Sequence, residues 1–342
     1  MNCSYFIKET NETDVFSHMY LTLREKTKSS VSKKRVIVIA GPTGVGKTDL
    51  SIDIAKIIGG EIISADSMQI YRGMDIGTAK ASKKQRDLIP HHMLDICDVD
   101  DNYNVVDYYN EAHRICQDIL RRDKVPIVVG GSGFYIHSFL YGPPSGPPSV
   151  IEVREKLQKQ MEQMGPSVLY ERLQMLDPKY ANTITENDKH KIVRALEIIT
   201  ITKRPVSSFP KPDEIKNDLY DFRCWFLYSD KELLYSMVDF RCEEMIKNGL
   251  IQEVEKLDRQ GLRENYSASQ AIGYRQCLEY LKSNREEEDK IKFIQSFKQA
   301  TRHYIKRQFT WFKKEPYFRW LDLHKIQRER AIEYILQDYE QG

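Results

Sequence analysis

The sequence predicts a parallel α/β sheet flanked by helices, with an all-helical insertion and a helical C-terminal region. Three observations carry that reading. Arg35–Ala40 (RVIVIA) and Val125–Val129 (VPIVV) are continuous β-branched runs, the pattern of strands buried on both faces. Such runs alternate with segments of helical apolar spacing, and strand–helix alternation implies parallel pairing. Two proline-bearing breaks, Pro143–Pro148 and Arg204–Pro212, then bracket residues with helical periodicity and no strand of comparable quality.

The elements follow in order. Residues 1–34 show no clear period and read as a loosely attached leader. Arg35–Ala40 is the first strand, and Thr48–Ile58 spaces Leu50, Ile54, Ile57 and Ile58 as one apolar helical face. Glu61–Ala65 (EIISA) is a second strand. The stretch Ser64–Lys80 is long, irregular and carries Gly73 and Gly77; loops of that length in a compact domain are usually functional. Val105–Arg122 is an amphipathic helix with Asn104 as N-cap. In Val125–Val129, Pro126 suits only the first positions of a strand. Helices are expected near 150–163, 166–175 and 188–203, a returning strand at Phe222–Leu227, and long helices at 230–247, 269–282 and 286–312. The expected organisation is a core of 35–142 and 213–330, a helical insertion of 143–212, and a helix end at 331–342.

Composition bounds the function. A chain of 342 residues is long enough for two domains or one with a large insertion, and 41% hydrophobic with 30% charged residues excludes general disorder. No apolar run approaches the ~18 residues of a membrane span, and the polar start MNCSYFIKETNETDVF does not read as a signal peptide. Lys and Arg number 52 against 50 Asp and Glu, which excludes a uniformly basic coat. The six cysteines form no C-x-x-C pair and read as free thiols in a reducing cytosol. His91 and His92 are adjacent, so in a strand they point to opposite faces and cannot grip one metal.

The sharpest motif is Gly41-Pro42-Thr43-Gly44-Val45-Gly46-Lys47-Thr48, which fits G-x-x-x-x-G-K-[ST] between a strand and a helix. Glycines let successive backbone N–H groups turn toward phosphate oxygens, and the helix N-terminus adds a positive field. Lys47 supplies a point charge and the Thr48 hydroxyl can ligate Mg²⁺. The motif signals a polyphosphate without specifying ATP. Strand VPIVV ends in Gly130-Gly131-Ser132-Gly133 where motor and switch NTPases carry a metal-holding carboxylate, which disfavours an ATPase. Asp66, at the end of the second strand, emerges near the phosphate loop and can accept or orient a proton; read alone it is equally a turn cap. Ser67 and Gln69 carry polar heads beside it.

These features first indicate a small-molecule kinase, but more than a hundred residues of basic, aromatic helix follow where such kinases end. In Thr301–Lys314, Arg302, Lys306, Arg307, Lys313 and Lys314 are cationic and no residue is acidic. Arg302 and Lys306 share a helix face, and such a face can track phosphates while aromatics stack on bases. Tyr304, Phe309 and Phe312 read rather as a buried stripe.

Together the residues resemble the tRNA dimethylallyltransferases, or tRNA isopentenyltransferases. The matching stretches are GPTGVGKT (41–48), IISADSMQIYRGMDIGTAK (62–80), PHHMLDI (90–96), VVGGSGFYI (128–136), NDKHKIVRALE (187–197), FRCEEMIKNGLIQEV (240–254), QAIGYRQ (270–276) and KRQFTWF (306–312). They run in order over nearly everything after the leader. The resemblance implies a P-loop NTPase-like core whose phosphate loop holds dimethylallyl diphosphate, with Mg²⁺ as cofactor. The acceptor would be N6 of the adenosine 3′ of the anticodon, position 37 of tRNA, giving N6-dimethylallyladenosine and diphosphate. Asp66, Ser132 and Arg241 would be catalytic, the Gly41–Thr48 loop would bind diphosphate, and Thr48 would touch the metal. The resemblance further assigns the tRNA anticodon stem-loop to Asp66, Ser67, Met68, Gln69, Ser132 and Arg154. It adds Asn187, Asp188, Lys189, His190 and Lys191 in the insertion, and Gln270, Ala271, Ile272, Gly273, Tyr274 and Arg275 in the core. Lys306, Arg307, Gln308, Phe309, Thr310, Trp311, Phe312 and Lys313 complete the set. It implies a cytoplasmic monomer with no membrane partner.

Three departures stand out. Ser132 replaces the family's usual Thr, keeping the hydroxyl. The family's N-D-x-x-R becomes Asn187-Asp188-Lys189-His190-Lys191, trading a bidentate donor for a point charge. A Cys/His zinc extension is absent, as in the bacterial type. A small-molecule or nucleoside kinase, an adenylate prenyltransferase and a non-catalytic RNA-binding module are the rival readings; AMP needs neither the insertion nor the basic end, and an RNA module leaves the phosphate loop and Asp66 unused.

Overall fold

In the computed structural model, which describes residues 34–210 and 220–341, the β-branched runs form the centre of a six-stranded sheet. Its strands are β1 (Lys34–Ala40), β2 (Gly60–Ala65), β3 (His91–His92), β4 (Val125–Gly130), β5 (Tyr220–Tyr228) and β6 (Arg319–Asp322). The order is β3-β2-β4-β1-β5-β6 and every pairing is parallel. β1 lies between β4 and β5, and Val36 to Ala40 are fully buried, as a two-sided apolar run requires. Pro126 pairs with Glu61 of β2, one residue before the β1–β4 register begins at Ile37 and Ile127, so its missing N–H falls at the start of the strand.

The helices are α1 (Lys47–Ile58), α2 (Lys83–Leu88), α3 (Val105–Arg121), α4 (Gly133–Tyr141), α5 (Ile151–Met164), α6 (Pro166–Leu176), α7 (Pro178–Ala181) and α8 (Lys189–Thr202). After β5 come α9 (Lys231–Lys247), α10 (Leu250–Asp258), α11 (Tyr266–Ser269), α12 (Tyr274–Tyr280), α13 (Glu287–Phe312) and α14 (Arg328–Gln341). Asn104 caps α3 as expected, accepting from Val106 N and Asp107 N, with Asp107 completing a capping box.

The chain divides into two compact units. The larger holds residues up to Leu140 and from Asp218 onward; the smaller is Tyr141–Asn217, against the 143–212 read from the proline breaks. The smaller unit has its own core of Leu157, Leu169, Leu173, Ile192 and Leu196. The leader reading of residues 1–34 lies outside the described residues, apart from Lys34, which opens β1. The five described cysteines are free and buried.

Several elements depart from the sequence expectation. The expected helix at 269–282 is two short helices, because Gly273 stands at φ 90° and breaks the chain between α11 and α12. The tail is not wholly helical: β6 pairs with β5 through Trp225–Arg319 to Tyr228–Asp322. The last helix begins at Arg328 and is docked. Its Ile332, Ile335 and Leu336 pack with Leu50, Ile54 and Trp225, and its Asp338 accepts from Trp225 Nε1 (3.2 Å) and Arg223 Nη1 (3.2 Å). The loop after β2 is irregular but fixed. Ile70, Tyr71 and Met74 are buried against Leu250, Val254, Tyr274 and Phe297, and Glu253 of α10 accepts from Asp75 N, Ile76 N and Gly77 N (3.1, 2.7 and 3.2 Å).

The edge strand β3 was missed because two residues carry no period. It is held by a buried carboxylate: Glu61 takes both guanidinium arms of Arg122 and His92 Nε2 (2.8 Å). The two histidines point to opposite sides, as strand geometry demands: His92 meets Glu61, while His91 Nδ1 bonds Ile89 O (2.7 Å). The Arg122 hydrogen bond, against the opposing effect of burial, holds the Glu61 carboxyl below its ordinary range. A depressed carboxyl adds stability above its unfolded pKa and loses it as pH falls through the folded value. Glu61→Gln is therefore expected to cost about 1–3 kcal/mol at neutral pH. Urea denaturation of both proteins should show the gap closing below about pH 4, and a gap independent of pH would contradict this account.

Candidate active site

Register positions the site. Ala40 of β1 and Ala65 of β2 both stand opposite Gly130 of β4, so the three strands end level at the carboxyl edge of the sheet. The next residues of each strand therefore converge: the Gly41–Thr48 loop, the Asp66–Gln69 turn and the Gly131–Gly133 turn. Carboxyl edges of parallel sheets are where ligands bind.

The Gly41–Thr48 loop leads into α1 through Gly46, whose φ of 92° places it in the left-handed region that a side chain would strain. Lys47 Nζ folds back over the loop and donates to Gly41 O (2.9 Å) and Pro42 O (2.8 Å). Thr48 is exposed at the helix start. Asp66 Oδ1 accepts from Met68 N (2.9 Å) and Gln69 N (3.4 Å), the turn cap anticipated from Asp-Ser. The capping role leaves the other carboxylate oxygen to the cleft. Ser132 Oγ accepts from Ser67 N (3.0 Å), clipping one turn to the other, and Gln69 Nε2 donates to Thr78 O (3.1 Å).

Two residues of α13 complete the frame. Gln308 Nε2 donates to Gly131 O (3.0 Å) while its Oε1 accepts from Thr43 N (3.1 Å), bridging the two loops; Tyr304 donates its hydroxyl to Gly131 O (3.3 Å). A Cβ at Gly131 would run into the Gln308 amide. Structural use of Gln308 was missed from sequence, yet a signal exists. Thr301, Ile305, Gln308 and Phe312 form the buried stripe of α13, and a Gln on such a stripe must find partners.

The resulting cleft is a cavity of about 480 Å³. Gly44, Lys47, Thr48, Asp66, Gln69, Gly130, Arg241 and Tyr304 line it, with Ile62, Ala81, Leu94, Val129 and Met237 as apolar wall. Arg241 comes from α9, where composition alone makes it an ordinary helix cation; no hydrogen bond or ion pair holds it among the described residues. Burial pushes the Lys47 ammonium down to about 8, with Asp66 opposing and Arg241 reinforcing the fall. Burial also lowers Arg241 and raises the Asp66 carboxyl, the latter partly offset by the Met68 and Gln69 N–H groups and by Lys47 and Lys80. Lys47 and Arg241 thus meet Asp66 in one cleft, with Asp49 also in the lining at the helix start, and the two cations beside a helix N-terminus suit an anion.

The structure separates the residues assigned to tRNA by resemblance. Gln69 lines the cleft with Ser67, Met68 and Ser132 in the turns beside it, and Lys306, Arg307, Thr310 and Trp311 on α13 and Lys313 just after it are exposed. Others are buried or partly buried. Phe312 is fully buried against Phe226 and Phe318, Gln308 is buried in the bridge just described, and Phe309 packs on Phe226 and Trp320. Around 270–275 only Gln270 and Arg275 are exposed; Ala271 and Gly273 are buried, Ile272 packs on the core, and Tyr274 is buried with its hydroxyl on Glu253 Oε1 (2.5 Å). Arg302 is not an unpaired cation: Asp239 of α9 lies 3.5 Å away, an acid that sequence distance hides. In the smaller unit, Asn187, Lys189, His190 and Lys191 are exposed, Lys191 pairs with Asp188 (3.2 Å), and Arg154 Nη1 donates to Ser149 Oγ (3.4 Å).

Comparison with known proteins follows the same lines. The family model "IPP transferase" matches residues 69–315. A tRNA dimethylallyltransferase of Protochlamydia amoebophila is 57% identical over 309 residues, covering 90% of each chain, and one of Chlamydia felis is 48% identical over 316 residues, covering 92% of each. Among solved structures, a full-length tRNA isopentenylpyrophosphate transferase of Bacillus halodurans superposes with a TM-score of 0.65 at 34% identity, covering 90% of this chain and 97% of that one. A eukaryotic dimethylallyltransferase described as acting on tRNA superposes with a TM-score of 0.71 at 30% identity, covering 89% and 78%. The chain belongs to the IPP transferase family, that of the tRNA dimethylallyltransferases.

Proposed function

We propose that the chain transfers a dimethylallyl group from dimethylallyl diphosphate to N6 of the adenosine 3′ of the anticodon, position 37 of tRNA. The products are N6-dimethylallyladenosine and diphosphate. The observation that carries the reading is one cleft with two roles: Lys47 and Arg241 face Asp66 across a cavity whose roof, α13, exposes Lys306, Arg307 and Lys313 on its outer side.

The chemistry follows from charge. An exocyclic aryl amine is a weak nucleophile, so the reaction depends on making diphosphate a good leaving group. Backbone N–H groups of the Gly41–Thr48 loop, Lys47 and Arg241 would hold the diphosphate and neutralise the charge that grows as the C1–O bond breaks. The N6 lone pair forms the new bond to C1, and the N6 proton passes to the Asp66 carboxylate. Mg²⁺ fits the donor set as a phosphate-bound cation: Thr48 offers one exposed hydroxyl, and no group of three His, Cys, Asp or Glu side chains that could cage a metal occurs among the described residues. When bound, the ion would add positive charge against the leaving oxygens. The adenine must leave its stack to reach Asp66, at a cost lowered in a single-stranded loop. The same reading makes the enzyme a cytoplasmic monomer, in keeping with a tRNA substrate.

The direct test is incubation of the full chain with dimethylallyl diphosphate, Mg²⁺ and unmodified tRNA. Diphosphate release and one added isopentenyl mass on a single adenosine are expected; prenylation of AMP with none of tRNA would overturn the reading. Asp66→Ala is expected to lower turnover by about 100–1000-fold and Arg241→Ala by about 100-fold, each leaving tRNA affinity within about threefold. Lys306→Ala should instead weaken tRNA binding and reduce its salt slope by about one. Loss of turnover and affinity in equal measure for all three would refute this division of roles. A base must be ionised, so the transfer rate should fall as pH drops through the raised Asp66 value, and Asp66→Asn should leave a slow rate without that acidic limb.

A further inference from the structure

The loop that carries the Asp66–Gln69 turn ends at Lys80, a residue for which the reaction as written has no use. Its side chain is only 1% exposed and lies among three acceptors. Nζ donates to Tyr71 O (2.8 Å), Asp75 Oδ1 (2.7 Å) and Asp95 Oδ1 (2.6 Å), satisfying all three N–H bonds of an ammonium. One group therefore ties the middle and the end of the loop to the segment after β3. That segment is itself laid against the turn, with Asp95 N donating to Gln69 O (3.3 Å) and Ile96 N to Ile70 O (2.8 Å). Ala79 and Asp95, on either side of the clasp, are non-glycine residues held at φ 49° and 54°, a conformation that persists only where surroundings impose it.

A buried ion pair is weak grounds for stability, because desolvation offsets most of the attraction. Geometry is the better explanation for keeping one here. Its removal leaves no stranded buried charge, since Asp95 retains Arg86 Nη1 (2.6 Å) and Asp75 is more than half exposed. What is lost is the fixed placement of the loop, and with it the place of Asp66 and the backbone N–H groups of Met68 and Gln69 that orient it.

Resting on the transferase reading above, we propose that Lys80 is a positioning residue for the reaction: its ammonium clasps the loop so that Asp66 meets the acceptor amine. The other charged or titratable groups that act on Asp66 are Lys47 from the phosphate loop, Arg241 from α9, Tyr135 from α4 and Tyr304 from α13. None of these is altered by a change at Lys80. Loss of Lys80 must therefore move the Asp66 carboxyl further upward, because one opposing cation is gone while burial remains.

The test uses the full chain as wild type, Lys80→Met, Lys80→Arg and Asp75→Asn, with single-turnover transfer to tRNA followed across pH. Lys80→Met is expected to transfer about 100-fold more slowly at saturating donor and tRNA, the scale of a misplacement near 1 Å, with tRNA affinity within about threefold. Its acidic limb should move to higher pH, and Lys80→Arg should restore both the rate and the limb in large part. If Lys80→Met is too unstable to assay, Asp75→Asn decides the matter: it keeps the ammonium and weakens one of its three contacts from an ion pair to a neutral hydrogen bond, so a slower rate with an unmoved limb is expected. A Lys80→Met rate near wild type, a slow rate with the limb unmoved and no recovery by Lys80→Arg, or a wild-type rate for Asp75→Asn would overturn the proposal. Failure of the wild type to modify tRNA would instead refute the transferase reading, so the two failures are distinct.

Discussion

The level ending of β1, β4 and β2 governs the rest of the molecule. Ala40 and Ala65 both stand opposite Gly130, and the backbones approach so closely at that point that a Cβ on Gly130 would collide with Ala65 O. A shift of one residue in either register would carry the phosphate loop, the Asp66 turn or the Gly131 turn about 3.3 Å along the strand and reverse its side chains. Three strands buried on both faces leave no such freedom, because each shift would trade apolar side chains for their neighbours across a closed core. Rigidity of the sheet is thus what permits three irregular loops to meet with catalytic tolerance.

The loops are irregular and need a second constraint, supplied by α13. Gln308 reaches Thr43 N and Gly131 O together, and Tyr304 also meets Gly131 O. The inner face of this helix therefore fixes the cleft, while the outer face exposes Lys306, Arg307, Thr310 and Lys313. Helical periodicity makes both uses possible within one segment, since positions 305, 308 and 312 fall on one side and 306, 310 and 313 on another. An RNA bound to the outer face would rest on the same rigid element that holds the phosphate loop.

This division also explains what was legible in the sequence. Arg35–Ala40 and Val125–Val129 announced the central strands because burial on both faces leaves a continuous apolar run; His91–His92 and Arg319–Asp322 did not, because edge strands of two and four residues leave no period. The phosphate loop was readable because its chemistry needs consecutive residues of fixed type. Gln308 was opaque to periodicity for the opposite reason, since its partners Thr43 and Gly131 lie far along the chain, and Arg241 entered only by resemblance. Phe312 and Tyr274 show the limit of resemblance itself, which marks a segment without saying which of its side chains face outward. The apparent lack of acids near Arg302 was a local illusion of the same kind, undone when α9 brought Asp239 against it.

The charges of the cleft are arranged against stability and in favour of binding. Lys47 is pushed down to about 8 by burial, and Arg241 lies close enough to press it further. A fold under selection for stability alone would pair these cations or replace them, as buried charges commonly gain from replacement. Here the Lys47 ammonium rests on two carbonyl oxygens, a weaker hold than a carboxylate, and Asp66 is the one acid acting on both cations. A diphosphate entering this cleft would raise the Lys47 value again and relieve the repulsion between Lys47 and Arg241. The favourable term is released only when the anion arrives, and it grows as negative charge moves onto the departing diphosphate. An anion-binding cleft of this kind favours the transition state over the ground state, which is what a prenyl transfer to a weak amine nucleophile requires.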